Sequence, residues 1–268
     1  MNTQQVTSVL HYLGVDENPP TLSALDALLS AYTRRVPWES ISRIARKARS
    51  FADAPLMPSA FWASALAYGT GGTCYESNYA FLTLLRALGY DGYLTINNMN
   101  EKIGCHSAIM ITLDGISYLV DVGMPFPVAI PVRPNQPTSR LGEFHTHLIT
   151  PQGADVYLIE RDNHPSRYCY HLVNQPIAEN DYQQILINDY GDGGLFLDRA
   201  IIVKVIQNRI WRFDSASRPF QIEIFTPFSA DKAFHFLGKD IDSAVDVVAY
   251  YYGISAEYVR LALEQVVF

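Results

Sequence analysis

The chain has no apolar run long enough to cross a membrane, and its polar start, Met1-Asn2-Thr3-Gln4-Gln5-Val6, lacks the layout of a secretory leader. It also lacks a basic excess. With 20 Lys and Arg against 27 Asp and Glu, the net charge is −7, and no Lys/Arg run is long enough to grip a nucleic-acid backbone. Neither a membrane nor a nucleic acid is expected as a partner. Cysteine is scarce: 3 residues without paired spacing argue against a disulfide framework and for a reducing, cytoplasmic setting. Internal repeats and low-complexity segments are missing too. What remains is an ordinary globular composition, 49% hydrophobic and 18% charged over 268 residues, enough for one large domain or roughly two to three smaller ones.

The patterning changes along the chain. Residues 1–90 read as helical: Leu22, Leu25, Leu28 and Leu29 recur at helical spacing behind the N-cap candidates Thr21 and Ser23. A second strong helix runs from Cys74 to Leu88, with Phe81, Leu84, Leu85 and Leu88 on one side and Gly89 as its stop. Residues 91–190 read as short strands joined by turns and proline-rich connections. After the break at Gly191-Asp192-Gly193-Gly194, the segment 191–268 holds strands at 199–206 and 220–226, then helices near 240–252 and 255–266.

Chemistry concentrates in the run Thr70-Gly71-Gly72-Thr73-Cys74-Tyr75-Glu76-Ser77-Asn78. It places a thiol at a helix start, where the dipole favours a thiolate. Two glycines before it let the backbone approach a reacting carbon closely, and the Cys74 amide is a candidate oxyanion donor because the first amides of a helix have no internal partner.

Downstream, two β-rich segments flank Asp114-Gly115, a strong two-residue turn signal. That turn sets Leu113 opposite Ile116, Met110 opposite Leu119 and Ala108 opposite Asp121. His106 and Asp121 then share a face, one diagonal step apart, within reach of each other. A one-residue slip would separate them. Taken singly, His106 reads as a strand-edge histidine and Asp121 as a turn former. With a helix-start cysteine upstream they read as a Cys74–His106–Asp121 triad, in which imidazole takes the thiol proton and carboxylate fixes the imidazole.

These residues resemble the arylamine N-acetyltransferases. Gly71 through Asn78 is similar to that family's nucleophile motif, Arg35-Val36-Pro37-Trp38-Glu39-Ser40-Ile41 to its Pro-Phe-Glu-Asn-Leu element, and His106 through Gly123 to its His and Asp-Val-Gly segments. Phe236-Leu237-Gly238 to Tyr252-Gly253-Ile254 matches the terminal helix more weakly. The resemblance implies an α+β fold with a cysteine-proteinase-like core: a helical bundle (1–90) carrying the nucleophile, an antiparallel β-barrel (91–190) carrying His and Asp, and an α/β lid (191–268). It implies ping-pong transfer of an acetyl group from acetyl-CoA, through a Cys74 thioester, to an arylamine, hydrazine or related small-molecule amine. It also implies CoA contacts near Gly104 and Gly123, and no metal. Pocket walls are expected at Trp38, Met124 and Phe126, for which plain core packing is an equal reading.

Some positions depart from the family pattern. Thr70 stands where the family has Arg, Ser40 where it has Asn, and Met124-Pro125 where it has an aromatic residue and glycine. Proline removes an amide and fixes φ in a loop that serves CoA in the family. The departure leaves room for the same triad to act in amide synthesis or transglutaminase-like hydrolysis from a non-CoA donor, or for a non-catalytic binding protein. Among other features, the stripe Arg43, Arg46, Lys47 and Arg49 reads as a solvated helix face, with CoA phosphates the alternative. His145-Thr146-His147 offers two imidazoles without a third zinc ligand. Asn188–Gly193 reads as a turn rather than a calcium loop, and Cys105 and Cys169 as buried thiols.

Overall fold

A computed structural model describes residues 1–266. Helices α1 (Thr3–Leu13), α2 (Leu22–Arg35), α4 (Pro58–Tyr68) and α5 (Cys74–Ala87) form the N-terminal bundle. Their ends follow local chemistry. The Asn2 side chain and Gln5 close a capping box, Thr21 accepts from the Ala24 amide, and Gly14 and Gly69 end α1 and α4 in the left-handed region.

Eight antiparallel strands follow: β2 (Asp91–Met99), β3 (Lys102–Leu113), β4 (Ile116–Val120), β5 (Ile130–Val132), β6 (Thr138–Leu141), β7 (Thr146–Gly153), β8 (Val156–Arg161) and β9 (Tyr168–Val173). Their order is β5-β4-β3-β2-β9-β8-β7-β6. The sheet curls until its edge strands meet, with the Thr138 hydroxyl donating to the Pro131 carbonyl, so the barrel is nearly closed. The β3–β4 turn has positive φ at both Asp114 and Gly115, and the ladder pairs Leu113 with Ile116 and Met110 with Leu119, the register expected from the turn signal.

Strand β3 is buried on both faces. Ile109 and Ile111 pack against the helices, whereas Ala108 and Met110 pack inside the barrel with Leu119, Phe126 and Tyr170. This two-sided burial places His106, an even-numbered residue, on the barrel side.

A second sheet, β1-β10-β11-β12-β13, combines β1 (Trp38–Glu39) with β10 (Ile201–Ile206), β11 (Arg209–Asp214), β12 (Phe220–Phe225) and β13 (Lys232–Gly238). It packs with α7 (Ile241–Tyr252) and α8 (Ala256–Val266). Chain order and packing part company twice. Helix α3 (Ile41–Arg49) buries Ile41, Ile44 and Ala45 in this C-terminal core rather than in the bundle. Residues 179–188, expected to be strand, form helix α6 (Glu179–Asn188), which buries Tyr182 and Leu186 against the bundle.

The basic stripe on α3 is a solvated face only at its end, where Arg49 is exposed and Lys47 half-buried. Arg43 and Arg46 are buried. Arg43 pairs with Asp189 at 2.6 Å and lies 4.1 Å over the Tyr190 ring. Arg46 donates to both Glu76 oxygens at 2.8 and 2.9 Å, and Tyr190 donates its hydroxyl to Glu76 at 2.6 Å. Helix α3 lies between two layers, so its cations face acids contributed by other elements. Glu76→Ala would strand a buried guanidinium, and we expect it to lower unfolding stability by about 3–5 kcal/mol, measured by urea titration of the purified variant.

Candidate active site

Helix α5 begins at Cys74 behind Thr73, whose hydroxyl does not cap the helix but accepts from Arg43 at 3.3 Å. The loop before it is clamped to β1. The Gly71 amide donates to Glu39 at 3.0 Å, the Glu39 amide donates to the Gly72 carbonyl at 3.2 Å, and Trp38 bridges Gly72. A Cβ on Gly71 would stand 1.8 Å from the Pro37 carbonyl oxygen. The missing side chains at Gly71 and Gly72 serve packing. They let the loop lie against Pro37 and, at Gly72, against Glu76 and Phe61.

His106 and Asp121 meet as the hairpin register requires. The imidazole Nε2 lies 2.7 Å from Asp121 Oδ2, both groups buried. Cys74 lines the same cavity as His106, and its sulfur acts on the imidazole. Burial alone would lower the His106 pKa. The Asp121 charge, then the Cys74 sulfur, overturn that and push it up to about 10. His106 is therefore an imidazolium at neutral pH, facing the sulfur at the helix start.

The other Asp121 oxygen accepts from Asn78 Nδ2 at 3.2 Å and from the Gly123 and Met124 amides at 2.9 Å each. Gly123 is required by proximity: a Cβ there would stand 2.5 Å from the Cys74 Cβ. Asn78, four residues after Cys74, also donates to the Ser107 carbonyl at 2.7 Å and accepts from the Val122 amide at 3.1 Å. The family motif carried this residue, but its work of joining α5 to the hairpin needed coordinates to be seen.

Cys74 and His106 open into a cavity of about 450 Å³, whose walls include Trp38, Gly123, Met124, Pro125 and Phe126. Gly104 lies outside it. Its amide donates to Asn98 at 2.9 Å and its carbonyl accepts from the Tyr75 hydroxyl, so it has little backbone to offer a cofactor. Sequence reasoning missed the rest of the wall. Phe144, Arg161 and His164 come from the barrel, and Phe196, Arg212 and Phe225 from the C-terminal segment. None of them carries a local motif, because a wall assembled from separate strands leaves no spacing to read. All three cysteines are unpaired and buried, and burial pushes the Cys169 thiol up to about 11.

A helical bundle packed on a nearly closed barrel thus sets a helix-start thiol beside a buried His–Asp pair. The family model described as N-acetyltransferase matches residues 21–209, and the chain belongs to that family. The structure is similar along 98% of its length to an arylamine N-acetyltransferase from Mycobacterium abscessus, covering 95% of that chain with a TM-score of 0.82 at 19% identity. It is also similar to the Mycobacterium marinum arylamine N-acetyltransferase solved in complex with CoA, with a TM-score of 0.80 and 18% identity over 98% of this chain and 100% of that one. In sequence it is 26% identical over 194 residues to proansamycin X synthase of Amycolatopsis mediterranei, covering 69% of this chain and 74% of that protein.

Of the three cysteines, only Cys74 stands at a helix start beside the His106–Asp121 pair. Brief iodoacetamide labelling near neutral pH, read by peptide mass spectrometry, should modify Cys74 ahead of Cys105 and Cys169. Asp121→Asn removes the largest influence raising the His106 pKa, which should fall toward its ordinary 6.5. Cys74 labelling at pH 7 should then slow by about tenfold or more, since each pKa unit is worth a factor of ten in the charged fraction.

Proposed function

We propose that this chain transfers an acetyl group from acetyl-CoA to an arylamine, hydrazine or related amine through a thioester on Cys74. The observation that carries this reading is the buried 2.7 Å His106–Asp121 pair beside a helix-start cysteine in one cavity. The Cys74 thiolate attacks the thioester carbonyl of acetyl-CoA, and the oxyanion is met by the amides of the first turn of α5. CoA leaves with the proton given up by His106. The amine then attacks the Cys74 thioester, His106 takes its proton, and the thiolate is released. Asp121 keeps the imidazole oriented throughout. In this scheme residues 1–90 carry the nucleophile, 91–190 carry His106 and Asp121, and 191–268 close the cavity as a lid.

Trp38, Met124 and Phe126 would hold the acceptor's apolar body. Gly123 would face CoA. Three unpaired cysteines fit a reducing cytoplasm, and among the described residues no helix is long and apolar enough to cross a membrane.

A second reading keeps the triad and changes the donor. Pro125 lines the cavity where the family resemblance expects a glycine amide, and one relative is named a synthase. Intact-protein mass spectrometry after incubation with acetyl-CoA separates the two readings. We expect one acetyl group on the wild type and none on Cys74→Ala. Pro125→Gly restores one amide donor, and a hydrogen bond to a charged group is worth about 1.5–3 kcal/mol, so CoA should bind roughly ten- to hundredfold more tightly to that variant. An adduct in neither wild type nor Pro125→Gly would support the non-CoA donor.

A further inference from the structure

A second cavity, of about 570 Å³, shares no wall residue with the Cys74 cavity. Strand β10 runs between the two. Ile201 and Val203 line the Cys74 cavity, whereas Lys204 lines the second one, on the face from which Ile202 packs into the C-terminal core. The second cavity is a junction of the bundle with the C-terminal segment. Tyr12 comes from α1, Arg35 from the end of α2, Gly69 from the end of α4, and Gly253 and Ser255 from the turn between α7 and α8.

No acidic side chain lines this space, although the chain as a whole carries net charge −7. Arg34 is paired with Glu143, and the buried Arg43 and Arg46 face Asp189 and Glu76. Arg35 and Lys204 are treated differently: among the described residues no carboxylate lies within ion-pairing distance of either. Lys204 donates its Nζ to the Tyr252 carbonyl at 2.7 Å, a bond that leaves its charge uncompensated. The charge that acts on it is Arg35's, of the same sign. Burial and that repulsion together lower the Lys204 pKa to about 8.

Two unpaired cations on one cavity without an acid are complementary to an anion carrying two charges. The donors set its shape. The Arg35 guanidinium offers a planar fork, Lys204 keeps two N–H groups beyond the one given to Tyr252, and Ser255 adds a hydroxyl to the same wall. These donors come from three separate elements, so tetrahedral oxygens meet them better than the two coplanar oxygens of a carboxylate.

We propose that Arg35 and Lys204 hold a phosphate dianion, free or as a phosphomonoester, in the cavity between the helical bundle and the C-terminal segment. The site does not depend on the acyl-transfer reading. It stands at the origin of both segments that lead to the catalytic centre, the one from Arg35 to Trp38 and the one from Gly69 to Cys74.

Lys204 itself reports on occupancy. The full chain is treated near neutral pH with an amine-reactive N-hydroxysuccinimide ester and analysed by peptide mass spectrometry, with phosphate replacing chloride at constant ionic strength. Phosphate at about ten times its dissociation constant should slow Lys204 labelling about tenfold, as the unoccupied fraction falls. Labelling of the exposed Lys239 should not change. Arg35→Gln, a change at an exposed position, should reduce the protection to less than about twofold. Blocking Cys74 with iodoacetamide beforehand should leave it intact. Phenyl phosphate protecting at about tenfold lower concentration than inorganic phosphate, its ring against Tyr12 and Leu66, would identify a phosphomonoester, and equal concentrations would identify free phosphate. No protection of the wild type by either ligand would overturn the site, and that comparison needs no variant to fold. Protection undiminished in Arg35→Gln, or lost when Cys74 is blocked, would overturn it as well.

Discussion

One carboxylate ties together the parts that must meet. Asp121 accepts from His106 on one oxygen and from Asn78, Gly123 and Met124 on the other. Those donors belong to the barrel strand β3, to helix α5 and to the loop that forms a wall of the cavity. Its bonds thus orient the imidazole, dock the nucleophile's helix on the hairpin and shape the entry to the site. In a buried setting these charge-assisted bonds are stronger than in water, and an unmet donor would be correspondingly costly.

A second set of buried acids anchors the other side of α5. Glu39 receives the Gly71 amide and Glu76 receives Arg46 and the Tyr190 hydroxyl. The Ser40 amide donates to the Ile201 carbonyl at 2.9 Å and its hydroxyl to the Arg199 carbonyl at 2.7 Å. The short segment 38–40 therefore links the nucleophile loop to the C-terminal sheet, and the thiol is held from three directions. Such a junction leaves little freedom for the first turn of α5, as a preorganised site needs.

Much of this was legible early where the signal was local. The turn at Asp114-Gly115 and the alternation along β3 set the register, and the register alone put His106 and Asp121 on one face. The helix start at Cys74 followed from the glycines and the apolar spacing behind it. The reading failed where neighbours remote in sequence decide. Arg43 and Arg46 have the spacing of an exposed stripe, but their acids, Asp189 and Glu76, come from other elements. Residues 179–188 carry little of a helical stripe beyond Tyr182 and Leu186, and the bundle supplies the surface that makes them a helix.

The sequence by itself determined the reacting groups and their pairwise logic, because turn chemistry, helix starts and strand alternation act over a few residues. The tertiary structure decided what surrounds them. Only the folding of β7, β8 and the C-terminal sheet around one space brings Arg161, His145, His147 and His164 to the Cys74 cavity. Among the described residues no acid joins them on that wall, since burial and pairing depend on which distant strands become neighbours.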